Sequence, residues 1–382
     1  MKIHPQPRRD GIALVIVLIV IMVLGVLAGR FASSMKVETT LARNASFDAD
    51  MEWLGRSGVE LAKYVIAEES TGPMGNVDHL GKKWAGGPGE TNSPVADIPL
   101  DHYELGAGWI KVTIEDNDRK YNINLAALEE GRLHQQVQAG VLGQAMSLIG
   151  VEPEARSTII ESIVDWWDTD KLITGSSGAE TAYYETLQPP YRAKNGPIDD
   201  LSELLLVKGV TPAIYWGPHA AGHNWGMNTP PPPGAKSEEL AYAIGLVELF
   251  TPLSGRTINV NTASAKVLQL IPEIDENIAN EIISVRAGLD GPFRTPGEIA
   301  ARLPMLGGLA MPPPPQTGQR PPVMPPGQPP MGLTSRLGVR SLVFEVQVDA
   351  HIGNYHRKYI SVLRRTNNPR DLQVLRFCWR SS

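Results

Sequence analysis

The chain has 382 residues and a formal net charge of −6, which leaves room for two or three domains. A general nucleic-acid binder usually carries a basic excess, so the charge disfavours that class. The one cysteine, Cys378, can form no internal disulfide and cannot seed a cysteine-rich zinc site. With 42% hydrophobic residues the composition is that of a globular protein, and the 32 prolines mark local linkers.

The first predicted element is a membrane-spanning helix. A short basic leader with Arg8 and Arg9 ends at Gly11, and an uncharged apolar run follows over residues 12–29. At about 1.5 Å per residue this run makes roughly 27 Å of helix, enough to cross the hydrocarbon core of a bilayer. Because positive flanks stay in the cytoplasm, the chain from Arg30 onward is predicted to lie outside it.

The small residue suited to cleavage, Gly11, lies before the apolar run. Cleavage between Gly11 and Ile12 would leave the apolar helix on the mature protein, whereas an ordinary secretory signal is cut after its apolar run. An ordinary cut near Val26-Leu27-Ala28 and a plain uncleaved anchor are the two alternatives. The arrangement resembles the class III leader of type IV prepilins and type II secretion pseudopilins. That resemblance implies cleavage by a prepilin peptidase and methylation of the new N-terminus.

An amphipathic stem helix is predicted over residues 30–70, ending near Gly72-Pro73. Its apolar residues recur at steps of three and four: Met51, Leu54, Gly58, Leu61 and Val65. The following stretch has little periodicity until the alternating strand Trp109–Asp116. We expect a turn at Asn117-Asp118 and a partner strand at Tyr121–Leu125.

The remaining chain is predicted to be mainly helical until period-two alternation returns after residue 340. The fold class expected is α+β, with a pilin-like membrane and stem helix and a small antiparallel sheet. A large all-α insertion, SAM-like or helix-hairpin-helix-like, interrupts that sheet. Ten prolines in residues 311–330 predict a polyproline-type loop. The segments expected are a leader (1–11), membrane helix (12–29), stem (30–70), first sheet part (71–125), helical insertions (126–253 and 254–310), proline-rich loop (311–335), return strands (336–366) and a C-terminal tail (367–382).

Carboxylates are concentrated between Asp165 and Asp170, with Glu180 a short distance beyond. Such a cluster repels itself unless an ion or a base compensates the charge, and oxygen-only ligands suit Ca²⁺. Asp168 and Asp170 match positions 1 and 3 of an EF-hand loop, and Glu180 lies one residue beyond position 12. The alternatives are a solvated acidic loop with a helix cap and a catalytic carboxylate pair.

The EF-hand interpretation is excluded by two residues. Leu172 and Ile173 occupy positions 5 and 6, where an EF-hand needs an oxygen ligand and a glycine. No partner base can be read beside the carboxylates, and no Ser/His/Asp or metal-histidine pattern supports a calcium-dependent hydrolase. An enzyme is therefore not predicted.

Taken together, the acidic loop and its neighbours resemble the signature of type II secretion system protein K, a minor pseudopilin whose sheet carries a large helical insertion. The leader, the stem and the segment 122–125 agree with this resemblance. The residues that carry it are Asp165-Trp166-Trp167-Asp168-Thr169-Asp170, Gly178-Ala179-Glu180, Tyr183-Tyr184, Pro190 to Asn195, Leu201 to Leu204 and Val207 to Val210.

Several properties are implied by the resemblance alone. Family members bind calcium in the insertion, which assigns that role to Asp165, Asp168, Asp170 and Glu180. The implied partners are the I and J minor pseudopilins, the pseudopilus, prepilin peptidase, the inner membrane and secreted protein substrates. The implied location is a single-pass inner-membrane protein with most of its chain in the periplasm.

A second resemblance covers the unit that begins at Ile258, which is similar to the helix-hairpin-helix of DNA-binding and competence proteins. In those proteins two glycines allow backbone N–H groups to approach a phosphate. Here Glu273 and Asp275 occupy the glycine positions, and two carboxylates would repel a phosphate. A membrane-anchored DNA-uptake protein is thus the alternative function, and a packing module without nucleic acid is the expectation.

The fifth residue after the expected cleavage site is Ile16. Most pilins have a glutamate there, thought to pair with the N-terminal amine of a neighbouring subunit. A carboxylate in the bilayer centre costs about 2.5 kcal/mol or more, so it is kept only where it has a use. The K proteins characteristically lack it. Its absence fits a subunit at the tip of a fibre, with no partner above it.

Overall fold

The computed structural model describes residues 10–89, 93–132, 140–222, 242–303 and 336–380. The leader before Asp10 and the proline-rich loop predicted at 311–330 lie outside the described residues. Helix α1, Asp10–Glu68, joins the predicted membrane and stem segments into one continuous helix, which ends close to the predicted stop. The side chains that line its membrane-length part, from Leu14 to Leu27, are exposed, as expected of a helix whose surroundings are lipid.

Nine strands and nine further helices follow α1 within the described ranges. The strands are β1 Tyr103–Leu105, β2 Gly108–Asp116, β3 Tyr121–Asn122, β4 Phe250–Thr251, β5 Ile258–Asn259, β6 Leu337–Gly338, β7 Val343–Ile352, β8 Tyr355–Arg365 and β9 Leu372–Arg380. The helices are α2 Ile123–Arg132, α3 Val141–Ile149, α4 Pro153–Trp167, α5 Thr181–Tyr184, α6 Pro212–Trp216, α7 Leu246–Leu249, α8 Ala265–Leu268, α9 Glu276–Ala287 and α10 Pro296–Arg302.

A five-stranded antiparallel sheet has the order β1-β2-β7-β8-β9. Strand β2 precedes the insertion and β7 follows it, yet the two are hydrogen-bonded neighbours, with Val112 opposite Val348. The insertion therefore leaves and rejoins the sheet at one place. The α+β class and the interrupted sheet are as the sequence predicts.

The predicted hairpin between Trp109–Asp116 and Tyr121–Leu125 is wrong. The Asp116 side chain accepts a hydrogen bond from Asp118 N at 2.8 Å and caps a 3-10 turn that leads away from β2. Strand β3 pairs in parallel with β4, and helix α2 begins at Ile123. The Asn122 side chain accepts from Asn124 N at 2.9 Å, which starts this change of direction.

The segment predicted as a C-terminal tail contains strand β9, which pairs with β8. Its alternation is hidden because the register shifts where Leu363 pairs with Val374 and Val362 with Arg376, which leaves Leu375 as an extra residue. The adjacent apolar residues Val374 and Leu375 are both exposed, so the period of two cannot be read from the sequence.

Two hydrophobic cores are present in the described residues. One lies between α1 and the inner face of the sheet, where Ala62, Val65 and Ile66 are fully buried. The other fills the insertion. The prediction that the insertion is entirely helical is wrong, because it carries the short parallel pairs β3–β4 and β5–β6. Strand β6 of the second pair lies after the insertion in the sequence.

Helix α1 lies close against the sheet at two glycines, Gly55 and Gly58. A Cβ atom at Gly58 would lie 2.5 Å from Val348 Cγ1, and one at Gly55 would lie 2.6 Å from Tyr359 Cδ2. The missing side chains thus allow the helix backbone to rest directly on the strands.

We expect Gly58→Ala to lower the free energy of unfolding by about 1–3 kcal/mol because the added methyl overlaps Val348. In an open helix the same change stabilises by roughly 0.5–1 kcal/mol. The matched control is Gly131→Ala in α2, where a Cβ would lie 3.5 Å from Val164, an ordinary contact. Thermal melts of the two variants should move in opposite directions. Equal shifts would contradict the close approach.

Candidate calcium centre

The acidic loop is held at both ends by helices of the insertion. Helix α4 ends at Trp167, and Asp168 is its C-cap, with its backbone N–H bonded to Val164 O at 2.8 Å. Glu180 is the N-cap of α5, and its side chain accepts from Thr181 N at 3.2 Å. Carboxylate oxygens of Asp168, Asp170 and Glu180 lie within 4.8 Å of one another. The structure therefore brings together three of the four predicted ligands.

The fourth predicted ligand, Asp165, lies one turn earlier on α4 and is fully buried. Its Oδ1 accepts from Thr174 N at 2.7 Å, which fixes the start of the loop. Its Oδ2 is buried without a hydrogen-bond donor from the described residues. Asp165 is outside the group of three carboxylates, and its bond to Thr174 orients the loop.

Sequence reasoning gave no separate role to Asn195. Its Nδ2 donates to the backbone oxygen of Asp170 at 2.6 Å and to Glu180 Oε2 at 3.3 Å. Its φ of 45° lies in the left-handed region, which Asn tolerates better than most residues. The Lys-Asn-Gly run at 194–196 was the available signal, because Asn-Gly marks such a turn.

Four buried oxygen atoms at this place have no hydrogen-bond donor among the described residues. They are Asp165 Oδ2, Asp168 Oδ1, Glu180 Oε1 and Asn195 Oδ1. A buried acceptor without a partner costs about 1–3 kcal/mol, so four together call for a cation or water. All four are carboxylate or amide oxygens, the ligands that Ca²⁺ prefers.

The electrostatics also favour a cation. Burial, followed by the negative charges of Asp170, Asp165 and Glu180, raises the pKa of Asp168 to about 6. Burial likewise raises the pKa of Asp165 and of Glu180. A calcium ion takes six to eight oxygens, so Asp168, Asp170, Glu180 and Asn195 would leave positions for water. The donor set fits calcium and, lacking nitrogen and sulfur, does not fit zinc.

An aromatic cluster is built from residues that flank the acidic loop and Asn195 in sequence. The rings of Trp166 and Tyr184 meet edge to face with centroids 5.4 Å apart, and Tyr191 stacks on Tyr184 at 5.2 Å. Lys194 Nζ bonds Asp199 Oδ2 at 2.6 Å and Glu203 Oε1 at 2.8 Å. The segment that presents Asn195 is therefore positioned by packing on one side and by ion pairs on the other.

The helix-hairpin-helix-like unit has no open phosphate site at the predicted position. Asp275 is the N-cap of α9, and its Oδ1 accepts from Ile278 N at 2.8 Å. The N–H group at this helix start is thus bonded to a carboxylate, which would also repel a phosphate. This agrees with a packing role.

The fold and the site define a class: a pilin-like subunit with an N-terminal apolar helix, a stem packed on an antiparallel sheet, and an acidic helical insertion. Family models described as type II secretion system (T2SS), protein K match residues 120–216 and 258–315. The chain belongs to this family, whose members are minor pseudopilins of type II secretion.

Individual relatives agree with the family assignment. The type II secretion system protein K of Pseudomonas aeruginosa is 26% identical over 303 residues, which cover 78% of each chain. That of Aeromonas hydrophila is 26% identical over 54% of this chain and 61% of its own length. A chain in the crystal structure of the GspK-GspI-GspJ complex from enterotoxigenic Escherichia coli has the same fold, with a TM-score of 0.59 and 17% identity. The similarity covers 89% of this chain and 99% of that chain.

Proposed function

We propose that this minor pseudopilin occupies the tip of the type II secretion pseudopilus and is a structural, non-catalytic subunit. The observation that carries the proposal is the insertion, which has its own core and leaves and rejoins the sheet between β2 and β7. Stems in a pilus-like fibre pack side by side, so a head of this bulk would clash if it were repeated along the fibre. Ile16 is apolar where most pilins have a glutamate, which also fits a subunit at the tip of the fibre.

The proposed partners are the I and J minor pseudopilins, because the similar chain of known structure is part of a GspK-GspI-GspJ complex. The stem offers a surface for them. Trp53 is 69% exposed and Tyr64 is 45% exposed, and both lie on the side of α1 away from the sheet. They are eleven residues apart, close to three full turns, so they share one face. Large exposed aromatic residues are typical of protein interfaces.

We expect Trp53→Asp to weaken the complex with the I and J proteins at least about tenfold, because an aromatic anchor in an interface contributes roughly 2 kcal/mol or more. Its exposure predicts an unchanged melting temperature of the free chain. The matched control is Leu289→Asp on the α9–α10 loop, another exposed apolar residue, which should leave the complex intact. Co-purification and analytical ultracentrifugation would measure both. An undiminished complex with Trp53→Asp would remove this surface.

The N-terminus is proposed to be processed as in prepilins. Co-expression with a prepilin peptidase should give a mature chain that begins at Ile12 with a methylated amine, and Gly11→Leu should block this conversion. Intact-mass measurement of the N-terminal peptide distinguishes the outcomes. A chain that still begins at Met1 indicates a plain anchor, and a chain that begins beyond Ala28 indicates an ordinary signal peptide.

Processing after Gly11 would keep residues 12–29 as the membrane anchor. The chain would then be held in the inner membrane by a single span, with its sheet and insertion in the periplasm. From this position it could join the pseudopilus and contact secreted protein substrates. The similarity of residues 254–310 to a helix-hairpin-helix is proposed to serve packing inside the insertion.

Calcium is proposed as a structural ion of the insertion. Asp168, Asp170, Glu180 and Asn195 would hold it, and the ion would neutralise the acidic loop. Asp165 would orient the loop through its bond to Thr174.

A further inference from the structure

A row of stacked rings lies on the outer face of the sheet, opposite the stem, beside the β7–β8 turn. It runs from His102 through Trp109 and His351 to His356. The ring centroids are 4.4 Å apart for His102 and Trp109, 3.9 Å for Trp109 and His351, and 5.9 Å for His351 and His356. Three of the five histidines in the described residues belong to this row.

The two histidines at its end face each other across the hairpin. Ile352 pairs with Tyr355 around the two-residue turn Gly353-Asn354, so His351 and His356 are the next pair of the ladder. In a two-residue hairpin the closing pair exchanges both backbone hydrogen bonds, and the next pair exchanges none. Such a pair has the shorter Cα separation, about 4.5 Å, and its side chains point to the same face.

We propose that His351 and His356 form a binding site for a divalent transition-metal ion such as Zn²⁺, Cu²⁺ or Ni²⁺, with water in the remaining positions. Imidazole nitrogens suit these ions and do not suit Ca²⁺, so this site is chemically separate from the acidic loop. Two imidazoles bound to one tetrahedral ion at about 2.0–2.1 Å have ring centroids roughly 5 Å apart. The observed 5.9 Å is slightly longer, so the two rings need to approach one another by a small amount to share an ion.

The surroundings prepare the pair for a metal. The Trp109 ring is stacked on His351 with an interplanar angle of 4°, which holds His351 in place. The remaining adjustment is a turn of the exposed His356 ring about its soft Cβ–Cγ torsion. Burial, together with the nearby His356 and His102, lowers the pKa of His351, whereas Asp349 acts in the opposite direction. A neutral imidazole is the form that binds a metal.

A metal at this place would tie β7 to β8 where the hairpin meets the stem. The Tyr355 ring lies 5.2 Å from that of Phe47, and Arg357 Nη2 bonds Asp48 Oδ1 at 2.7 Å. The ion would therefore stiffen the contact between the sheet and the part of helix α1 around Phe47 and Asp48. This role does not depend on the proposed position of the subunit in the fibre.

The test is calorimetric titration of the full chain, purified in detergent without a histidine tag, with Ni²⁺, Zn²⁺ and Cu²⁺ in the presence of excess Ca²⁺. We expect one equivalent to bind, and His351→Gln and His356→Gln each to lower the affinity by at least about tenfold, since one of two protein ligands is removed. The Cu²⁺ form should show two coordinated imidazole nitrogens in its electron paramagnetic resonance spectrum.

His102→Gln is the matched control, because His102 belongs to the same row but is separated from the pair by Trp109. Its affinity should stay within about twofold of the parent chain. Melting curves of the variants without metal show whether each remains folded. The proposal is overturned if no stoichiometric binding occurs, if both pair variants bind as the parent does, or if His102→Gln weakens binding as much as they do.

Discussion

Replacing Arg365 with methionine should lower the free energy of unfolding by about 3–5 kcal/mol, the largest effect we expect of any single substitution here. Arg365 is 1% exposed and Asp78 is 0% exposed. The Nη1 atom bonds Asp78 Oδ2 at 2.6 Å and the backbone oxygen of Ser341 at 2.6 Å, and Nη2 bonds Ser70 Oγ at 3.2 Å. Without the guanidinium, a buried carboxylate loses its main partner. Chemical denaturation of both proteins measures the difference.

The adjacent Arg364→Met is the matched control, because that side chain is exposed and its loss should change stability by less than about 0.5 kcal/mol. If Arg365→Met does not fold, Arg365→Lys is the second variant. It keeps the positive charge but not the bidentate hydrogen bonds to Asp78, and should give a smaller, measurable loss of stability. Adding Asp78→Asn to Arg365→Met should recover part of the stability, since the buried carboxylate charge is then removed. The recovery should be partial, because the buried Lys82 Nζ lies 3.7 Å from Asp78 Oδ1 and also loses this partner. Equal effects of the two methionine variants would contradict the buried pair.

This ion pair is part of a polar junction between the sheet and the insertion. Asp116 Oδ2 accepts from Ser341 Oγ and Thr262 Oγ1, each at 2.5 Å. Burial, with the nearby charge of Asp118, raises the pKa of Asp116 to about 7. Asp118 accepts from the backbone N–H groups of Gly255, Leu342 and Val343. Residues that precede and follow the insertion in sequence thus converge at the end of β2, and their hydrogen bonds fix the position of the insertion relative to the sheet.

Much of the fold follows from local signals. The apolar run and the stem period predict α1, and Gly353-Asn354 between two alternating segments predicts the β7–β8 hairpin. The Arg365–Asp78 pair gives no such signal, because its members are 287 residues apart and a lone charge in a strand looks like any surface charge. Strand β3 was predicted to form a hairpin with β2, because a two-residue strand such as Tyr121-Asn122 has the same local pattern whether it pairs with β2 or, as observed, with β4.

The acidic loop could be predicted from the sequence because charge density is a local property. Asp168, Asp170 and Glu180 lie on one short segment, 168–180, and are the three carboxylates that converge. Asn195 was missed because it approaches from a separate segment, beyond the cis peptide bond Gln188-Pro189. The row from His102 to His356 was missed for the same reason, since strands distant in sequence assemble it.

Removing calcium should lower the melting temperature of the chain by about 5–10 °C. An ion held at a free concentration one hundred times its dissociation constant stabilises by about 2.7 kcal/mol, and each kcal/mol corresponds to roughly 2–4 °C in a domain of this size. Asp168→Asn should abolish this shift. In chelator the same variant should melt at or above the parent chain, because the substitution removes one of the repelling charges. The control is Asp290→Asn, an exposed carboxylate on the α9–α10 loop, which should keep the full calcium shift.

The calcium shift should also depend on pH in a stated direction. Without an ion the folded-state pKa of Asp168 is about 6, above the ordinary 3.8, so its contribution to stability is full below pH 4 and is lost as the pH rises through 6. Calcium binds the ionised form, so the gain in melting temperature on adding calcium should grow from pH 5 to pH 8. The pKa of Asp116 is also raised, but this side chain bonds Ser341 and Thr262 outside the acidic loop, so its contribution cancels in the difference between the melts with and without calcium. A calcium shift of the same size at both pH values would mean that Asp168 is not a ligand, and no shift at either would mean that the loop holds no ion.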